Sequence, residues 1–302
     1  MLKFHHFRDF VAIAEARSIR GAARELGLAQ PALSRSLREL ENFLGVPLLE
    51  RHTTGVLLTP AGERFLIRSR SALGEFQRGI EEMQNWGKDI GGRVFIALSS
   101  PPILALLPPV YQTFTKLYPK VRLHLMEATF PDAEPLLRDG RLDFYIGGLV
   151  GETVHRSFQR NLLFHNRRFV FARKGHPLMH AKTLKDLQNS MWLCGGLRQR
   201  PEQDLEELFQ SHGLEAPTRV TRVDSQMCML VLMLNTDAIA MVPQQWAEAT
   251  VINELIFPIE LTNDFPAPDV VLITRSGIPL TPSAEKLSDL FIRKANGLYN
   301  SV

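Results

Sequence analysis

The sequence predicts an α/β protein that begins with a winged helix-turn-helix and a long linker helix and continues into a two-lobed α/β domain. Three observations predict this fold. Residues 1–58 contain three short amphipathic helices and a hairpin, residues 59–90 carry a heptad repeat, and from residue 93 onward short apolar strands alternate with helices. A chain of 302 residues has room for about two domains, which agrees with this division.

The composition is typical of a globular protein, with 45% hydrophobic and 22% charged residues. The longest apolar run, Met227 to Leu234, is shorter than the ~18 residues needed to cross a bilayer and predicts a buried helix. The N-terminus has no apolar signal-peptide core. We therefore expect a cytoplasmic protein with no membrane partner.

The two cysteines are too few for a disulfide framework in a chain of this length. Cys228 lies among apolar residues, which predicts a core position. Cys194 precedes Gly195 and Gly196, which leaves a sensor thiol open at that position.

Two short helices are predicted at the N-terminus. Apolar residues recur at spacings of three and four before Arg17, which indicates a first amphipathic helix. Ser18 is a good N-cap for a second helix over 19–26. Gly27 suits the left-handed residue that ends such a helix.

The third predicted helix buries a leucine stripe and exposes a polar face. That face carries Gln30, Pro31, Ser34, Arg35 and Arg38. Arginine and glutamine pair bidentately with base edges, and a serine hydroxyl contacts phosphate. Taken alone, the helix is more typical of an ordinary solvated surface. The order of short helix, tight turn and longer helix favours insertion into the major groove of double-stranded DNA.

A β-hairpin is predicted directly after the third helix, over 48–59, with its tip at 53–55. Such a hairpin forms the wing of a winged helix-turn-helix. We expect Arg51, His52 and Thr54 to contact the sugar-phosphate backbone or the minor groove.

The motifs of this region resemble those of the LysR-type transcriptional regulators. They are Ala22-Ala23, Leu26 to Ser34, Leu40-Glu41, Leu44-Gly45, Pro47 to Arg51 and Leu58 to Gly62. The resemblance implies a ligand-responsive bacterial transcription regulator that binds promoter DNA. It also implies that Gln30, Pro31, Ser34 and Arg35 contact that DNA. One residue departs from the pattern: Ala29 stands where the family usually has serine or threonine, which removes a capping hydroxyl worth about 0.5–2 kcal/mol.

The linker helix predicted over 59–90 shows a coiled-coil repeat. Its apolar positions include Leu66, Leu73, Phe76, Ile80 and Met83. The repeat suits either packing on the chain's own domain or contact with a second copy. Its place directly after a DNA-binding unit favours a homodimer, and the resemblance implies homodimers that commonly form homotetramers. RNA polymerase is a further expected partner.

The C-terminal region, 93–302, is predicted to be an effector domain of two lobes, like a periplasmic binding protein. Lobe I comprises about 93–162 and 268–302, and lobe II about 163–267. Continuous apolar runs such as 94–98 are typical of buried parallel strands, and helices follow them in turn. Further motifs of the LysR-type family occur here, although more loosely.

Ligands of open α/β sheets bind outside the carboxyl ends of the strands. This rule selects Ser99, Ser100, Pro101, Thr129, Phe130, Gly147 and Gly148 in the first lobe, and Gly196, Leu197, Arg198 and Gln226 in the second. Ser99 and Ser100 suit either an anion site or a plain N-cap. Arg198 suits either a carboxylate contact or a surface position. With Phe130 and Leu197 as an apolar wall, we expect an organic anion such as an aromatic carboxylate.

The sequence offers little for catalysis. The motifs Gly-x-Ser-x-Gly, His-Glu-x-x-His, Gly-x-x-x-x-Gly-Lys and Gly-x-Gly-x-x-Gly are absent, and the nine histidines show no metal-ligand spacing. Ser283 to Lys286 match Ser-x-x-Lys without its companion motifs. We therefore expect no enzyme, no metal and no cofactor. A secreted transport receptor is the other alternative, and the first ninety residues disfavour it.

Overall fold

A computed structural model describes residues 1–52, 55–84, 90–151, 154–195, 201–249 and 252–299. The chain divides into two compact units. The first comprises Met1–Gly87 with Arg138–Arg141, and the second comprises Lys88–Leu137 with Leu142–Val302. We call residues 1–58 the head and the second unit the C-terminal unit.

The head is a winged helix-turn-helix made of three helices and a two-stranded antiparallel hairpin. Its elements and the linker helix are α1 (Phe4–Ala16), α2 (Ile19–Leu26), α3 (Gln30–Leu44), β1 (Leu49–His52), β2 (Gly55–Leu58) and α4 (Pro60–Gln84). The helices pack on a core in which Phe10, Ile13, Leu33 and Leu40 are fully buried. Burying a side chain of this size stabilises the fold by about 1.5–3 kcal/mol.

The predicted ends of α2 are confirmed. The Ser18 hydroxyl oxygen accepts a hydrogen bond from the backbone N–H of Gly21 at 3.1 Å, as an N-cap should. Gly27 ends the helix with φ of 66°, and its N–H donates to the carbonyl of Arg24 at 3.3 Å. Two local side-chain signals therefore set the length of this short helix.

The start of α4 is locked to the end of the wing. The Thr59 hydroxyl accepts the backbone N–H of Gly62 at 2.9 Å and donates to the carbonyl of Pro47 at 2.8 Å. A Cβ on Gly62 would overlap the carbonyl oxygen of Leu48, so this position needs glycine for close backbone approach. Thr59 and Gly62 thus fix the direction in which the linker helix leaves the head.

The N-terminal half of α4 packs on the head of its own chain. Leu66 is 7% exposed and belongs to the head core, which corrects its prediction as a dimer contact. A heptad repeat cannot distinguish a partner helix from the chain's own domain, because both need one apolar stripe. Phe76 and Met83 are 53% and 59% exposed. The described helix ends at Gln84, and residues 85–89 of the predicted linker helix lie outside the described residues.

The strands of the C-terminal unit form one sheet. They are β3 (Gly92–Leu98), β4 (Val121–Glu127), β5 (Phe144–Gly148), β6 (Phe158–Arg173), β7 (Met191–Cys194), β8 (Val220–Arg222), β9 (Ala238–Pro243), β10 (Ile256–Pro258) and β11 (Phe265–Arg275). Over the described ranges the order is β4-β3-β5-β11-β6-β9-β7-β8, with β10 paired to β6. Strands β3, β4 and β5 are parallel, as are β7, β8 and β9. The antiparallel strands β6 and β11 join these two parallel groups, which form the two lobes.

Helices flank the sheet. They are α5 (Ser100–Ala105), α6 (Leu107–Leu117), α7 (Phe130–Arg138), α8 (Pro201–Ser211), α9 (Gln226–Asn235), α10 (Gln245–Glu248) and α11 (Pro282–Tyr299), with a 3-10 turn at Leu184–Leu187. Two helices, and not one continuous helix, follow β3, because α5 ends and α6 begins around Leu106. Pro108 and Pro109 lie in the first turn of α6, where a missing N–H is tolerated, whereas they would break a continuous helix.

Each lobe has its own buried core. In the first lobe Val94, Ile96 and Phe144 of the strands lie with Phe291 of α11. In the second lobe the rings of Trp192 and Phe209 meet edge-on with their centroids 5.7 Å apart. The central parallel strands β3 and β5 are largely buried, and β3 is recognisable in the sequence as a continuous apolar run.

Helix α9 differs from the buried helix predicted for 227–234. Met229 and Met233 are buried, but Met227 and Val231 are 68% and 50% exposed. Cys228 is also exposed, so its prediction as a core residue is wrong. Apolar residues surround the whole helix, so periodicity gave no way to identify the solvent-facing side.

Cys194 is buried at the end of β7. Burial, reinforced by the negative charges of Glu202 and Asp204, raises the pKa of its thiol to about 12. A protonated thiol is a poor nucleophile, which disfavours the sensor role that the sequence left open. Within the described part of the chain, no helix is long and apolar enough to cross a membrane.

Candidate nucleic-acid interface and ligand cleft

One face of α3 is exposed and carries a polar surface. Gln30, Pro31, Arg35 and Arg38 are exposed, and Ser34 is half-buried beside them. Arg38 lies along its own helix, since its Nε donates to the carbonyl of Ser34 at 3.2 Å. Arg35 makes no hydrogen bond or ion pair with any described residue, so its guanidinium is available to a ligand.

The acidic residues of α3 are held by contacts within the head. His6 accepts the N–H of Lys3 at Nδ1, 3.1 Å away, which leaves the proton on Nε2 to donate to Glu39 at 3.3 Å. Glu41 accepts the N–H groups of Leu48 and Leu49 at 2.7 and 3.1 Å. Both carboxylates therefore have partners inside the head, and the helix can approach phosphate through its basic residues.

The first turn of α3 has no capping side chain. Ala29 occupies the N-cap and makes no side-chain hydrogen bond, as expected from its methyl group. Pro31 follows in the first turn, where proline is well tolerated. The helix end is thus held without the hydroxyl that serine or threonine would provide.

The wing is fixed against the turn between α1 and α2. In the β1–β2 hairpin His52 pairs with Gly55, and the N–H of Val56 donates to the carbonyl of Arg17 at 3.1 Å. Gly55 has φ of 139°, and a Cβ there would lie 2.7 Å from the same Arg17 oxygen. The expected DNA contact Thr54 lies outside the described residues, and Arg51 is described only in its backbone.

A cavity of about 400 Å³ lies where the carboxyl ends of the strands from both lobes meet the crossing strands. Six sequence-predicted residues line it: Ser99, Ser100, Pro101, Thr129, Gly148 and Gln226. Asn166 and Arg168 of β6 and Ala267 of β11 line the part contributed by the crossing strands. A volume of this size suits a small organic ligand.

Two predicted residues do not line the cavity. The Phe130 ring packs against Tyr145 and Phe158, with centroids 5.5 and 6.1 Å apart, so it belongs to a core cluster and not to an apolar wall. Gly147 is covered as well, because a Cβ there would collide with Tyr145 Oη and Ser99 Oγ. The predicted Gly196, Leu197 and Arg198 lie outside the described residues.

Ser99 occupies the N-cap position of α5, but its hydroxyl belongs to the wall of the cavity. Its Oγ makes no capping hydrogen bond and accepts the N–H of Gly148 at 3.4 Å. The buried Tyr145 hydroxyl donates to the carbonyl of Gly148 at 3.3 Å. Burial raises the pKa of Tyr145, so this donor keeps its proton at neutral pH. These contacts fix the Gly148 backbone on the cavity wall and disfavour a plain N-cap role for Ser99.

The described lining is acidic. It includes the carboxylates of Glu127, Asp132, Asp204 and Asp224 and the guanidinium of Arg168. Burial raises the pKa of Glu127. The ligand in this cleft must therefore be compatible with a negative wall.

Comparison with known families identifies the chain. Residues 4–63 match the family described as "Bacterial regulatory helix-turn-helix protein, lysR family", and residues 87–296 match the "LysR substrate binding domain". The chain belongs to the LysR family. This LysR-family chain is 30% identical over 261 residues to the "HTH-type transcriptional regulator TdcA" of Escherichia coli strain K12, covering 86% of this chain and 83% of that protein.

A further relative supports the same assignment, and a solved structure shows the same fold. The "HTH-type transcriptional regulator GbpR" of Rhizobium radiobacter is 32% identical over 251 residues, covering 80% of this chain and 82% of that protein. The fold resembles the crystal structure of full-length CbnR complexed with the target DNA, with a TM-score of 0.68 and 23% identity over 97% of this chain and 100% of that chain. The LysR-family protein is a ligand-responsive, DNA-binding transcription regulator and not an enzyme.

Sequence reasoning missed several cavity residues of this LysR-family protein. Glu127 is the last residue of β4, so the rule of strand ends selects it as readily as the chosen Thr129. Asp224 directly precedes the N-cap Ser225. Asn166 and Arg168 gave no signal, because they lie within a long crossing strand whose extent was not predicted.

Proposed function

We propose that the head binds promoter DNA with α3 in the major groove. Gln30, Pro31, Ser34 and Arg35 are the proposed base and phosphate contacts, joined by Arg38. The observation that carries the proposal is Arg35, an exposed guanidinium on α3 without a described partner. Arg51 and Thr54 of the wing are proposed to contact the adjacent backbone.

A mobility shift with the full chain and its own upstream DNA tests this proposal. Arg35→Ala should weaken binding about tenfold or more, as expected for loss of a base-edge contact of about 1–3 kcal/mol. Arg64→Ala is the matched control, since Arg64 is an exposed arginine on α4. Equal losses in the two variants, or no shift with any upstream DNA, would contradict the proposal.

We also propose that a small-molecule effector occupies the cleft and changes the closure of the two lobes. An effector controls DNA binding only if it binds one closure state better than the other and if DNA distinguishes those states. The sequence predicts an organic anion or aromatic carboxylate, and the hydroxyls of Ser99 and Ser100 at the cavity wall, with the sequence expectation for Arg198, support a carboxylate group on the effector. An effector that left both the DNase footprint and the scattering profile unchanged would contradict this coupling.

A homodimer through α4, and a homotetramer built from it, is the proposed assembly. The exposed Phe76 and Met83 support it, and the Phe76 ring meets the half-exposed Phe4 with centroids 4.5 Å apart. Two heads joined in this way would contact half-sites about 34 Å apart. Phe76→Glu should lower the mass measured by light scattering, whereas Gln77→Glu, at an exposed neighbouring position, should not. RNA polymerase is the further partner we propose for the DNA-bound assembly.

A further inference from the structure

We propose that the effector is a zwitterion of the amino-acid type, with an ammonium group facing the acidic wall and a carboxylate facing the crossing strand. This inference rests on the ligand cleft proposed above and specifies the chemistry of its ligand. It departs from a simple aromatic carboxylate, because such an anion offers nothing to the carboxylates of the wall.

The acidic wall is built by four separate elements. Glu127 ends β4, Asp132 lies in α7, Asp204 lies in α8 and Asp224 precedes α9, and all four line the cavity. The one guanidinium among the described lining residues, Arg168, already donates its Nε to the carbonyl of Pro266 at 3.1 Å. A cation in the cavity would relieve the mutual repulsion of these carboxylates.

Glu127 is the carboxylate of the acidic wall whose side chain has no described partner. Asp224 accepts a hydrogen bond from Arg222 at 2.9 Å, and Asp132 accepts one from the Thr129 hydroxyl at 2.8 Å. Glu127, in contrast, has no hydrogen bond or ion pair with any described residue. Partial burial raises the pKa of Glu127, in the direction expected for a carboxylate without a cationic partner.

Two uncharged groups give independent support. Gln226 Oε1 is buried at the cavity and accepts no hydrogen bond from the described residues, so it suits an N–H donor such as an ammonium. Asn166 is only 8% exposed, and its Oδ1 accepts the N–H of Arg167 at 2.9 Å. That bond identifies the amide nitrogen, which donates to no described group and suits a ligand carboxylate.

The remaining lining offers room for an apolar side chain. Met229, Met241 and Val242 line the cavity beside the polar groups. Methionine side chains adapt to ligands of irregular shape. The chemistry of the cleft therefore fits an amino acid with a medium-sized apolar side chain.

Matched probes test the proposal on the full chain. We would measure thermal shifts and isothermal titration with L-leucine, L-methionine and L-phenylalanine. Each is paired with the carboxylate that lacks the amino group: 4-methylpentanoate, 4-(methylthio)butanoate and 3-phenylpropanoate. At least one amino acid should raise the melting temperature and bind about tenfold or more tightly than its deaminated partner, because one charge-assisted hydrogen bond is lost.

Variants locate the effect in the cleft. Glu127→Gln should weaken binding of the amino acid about tenfold and leave the affinity for its deaminated partner unchanged. Glu254→Gln is the control, since Glu254 is exposed and lies outside the cavity lining. Asp224→Asn, at an exposed position, gives a second measurement should Glu127→Gln fold poorly.

Three results would overturn the inference. They are equal or tighter binding of a deaminated acid, no binding by any of the three amino acids, and equal losses in Glu127→Gln and Glu254→Gln. Binding of the deaminated acids alone would leave the proposed ligand cleft intact while removing the zwitterion. The mobility shift with Arg35→Ala decides the DNA-binding proposal separately.

Discussion

The carboxylate of Glu41 accepts the backbone N–H of Leu48 at 2.7 Å and so ties α3 to the start of the wing. The same oxygen accepts the N–H of Leu49 at 3.1 Å. Two hydrogen bonds to one charged oxygen make this side chain the main polar connection between the two elements proposed to bind DNA.

Loss of this connection should destabilise the head. Glu41→Ala is expected to lower the free energy of unfolding by about 1–3 kcal/mol, because two backbone donors lose a charged acceptor. Glu41→Gln keeps an acceptor oxygen, so its free energy of unfolding should fall by less than that of Glu41→Ala. Urea denaturation measures both, with Glu25→Ala at an exposed position as the control. A loss from Glu25→Ala as large as that from Glu41→Ala would contradict this role.

Gly55 is expected to tolerate no side chain. Gly55→Ala places a Cβ at φ of 139° and 2.7 Å from the Arg17 carbonyl oxygen, so the wing must shift from the α1–α2 turn. The variant should lose stability and weaken DNA binding in the mobility shift. Gly79→Ala is the matched control within α4, where nothing lies within 4 Å of the new Cβ. Gly79→Ala should raise the free energy of unfolding by about 0.5–1 kcal/mol. Equal destabilisation of both variants would refute the steric explanation.

The two cysteines should differ in reactivity. Exposed Cys228 is expected to react with a thiol reagent in the native protein, whereas Cys194, with its pKa raised to about 12, should stay unmodified at pH 8. Mass spectrometry after brief labelling measures this difference. Cys228→Ser should abolish native labelling, and the reverse pattern would show that the burial assignment is wrong.

The two sides of α9 should respond differently to truncation. Met233→Ala removes a fully buried side chain and should cost about 2–5 kcal/mol of unfolding free energy. Val231→Ala, at a position 50% exposed, should change stability by less than about 0.5 kcal/mol. Chemical denaturation at low protein concentration tests the pair. Similar losses would mean that both sides of the helix are covered.

Local signals made the head predictable. Ser18 and Gly27 set the ends of α2 through contacts within a few residues, and the structure places both as expected. The heptad repeat of α4 predicted a helix, which the structure shows, but it did not identify what the apolar side of that helix contacts. Leu66 shows this, since its apolar side chain packs on the chain's own core.

Features that depend on pairing between distant parts of the chain were harder to predict from the sequence. In β6 the longest continuous apolar run is residues 169–172, because polar residues interrupt the earlier part of the strand. Asn166 and Arg168 line the cleft, but no local sequence pattern predicted them as lining residues. Their placement depends on pairing with β11, about a hundred residues further along the chain, which spacing within a short window cannot reveal.

The β6–β11 ladder is interrupted where the cleft lies. Pairing is regular at Ala267 with Asn166, shifts register, and resumes at Val270 with Phe164. On one side of this bulge β11 bonds to β5, and on the other side β6 bonds to β9. The two lobes are thus joined through an irregular stretch of this ladder beside the cavity, and a bulge of this kind bends its strand locally. We therefore expect the change in lobe closure proposed above to occur at this bulge.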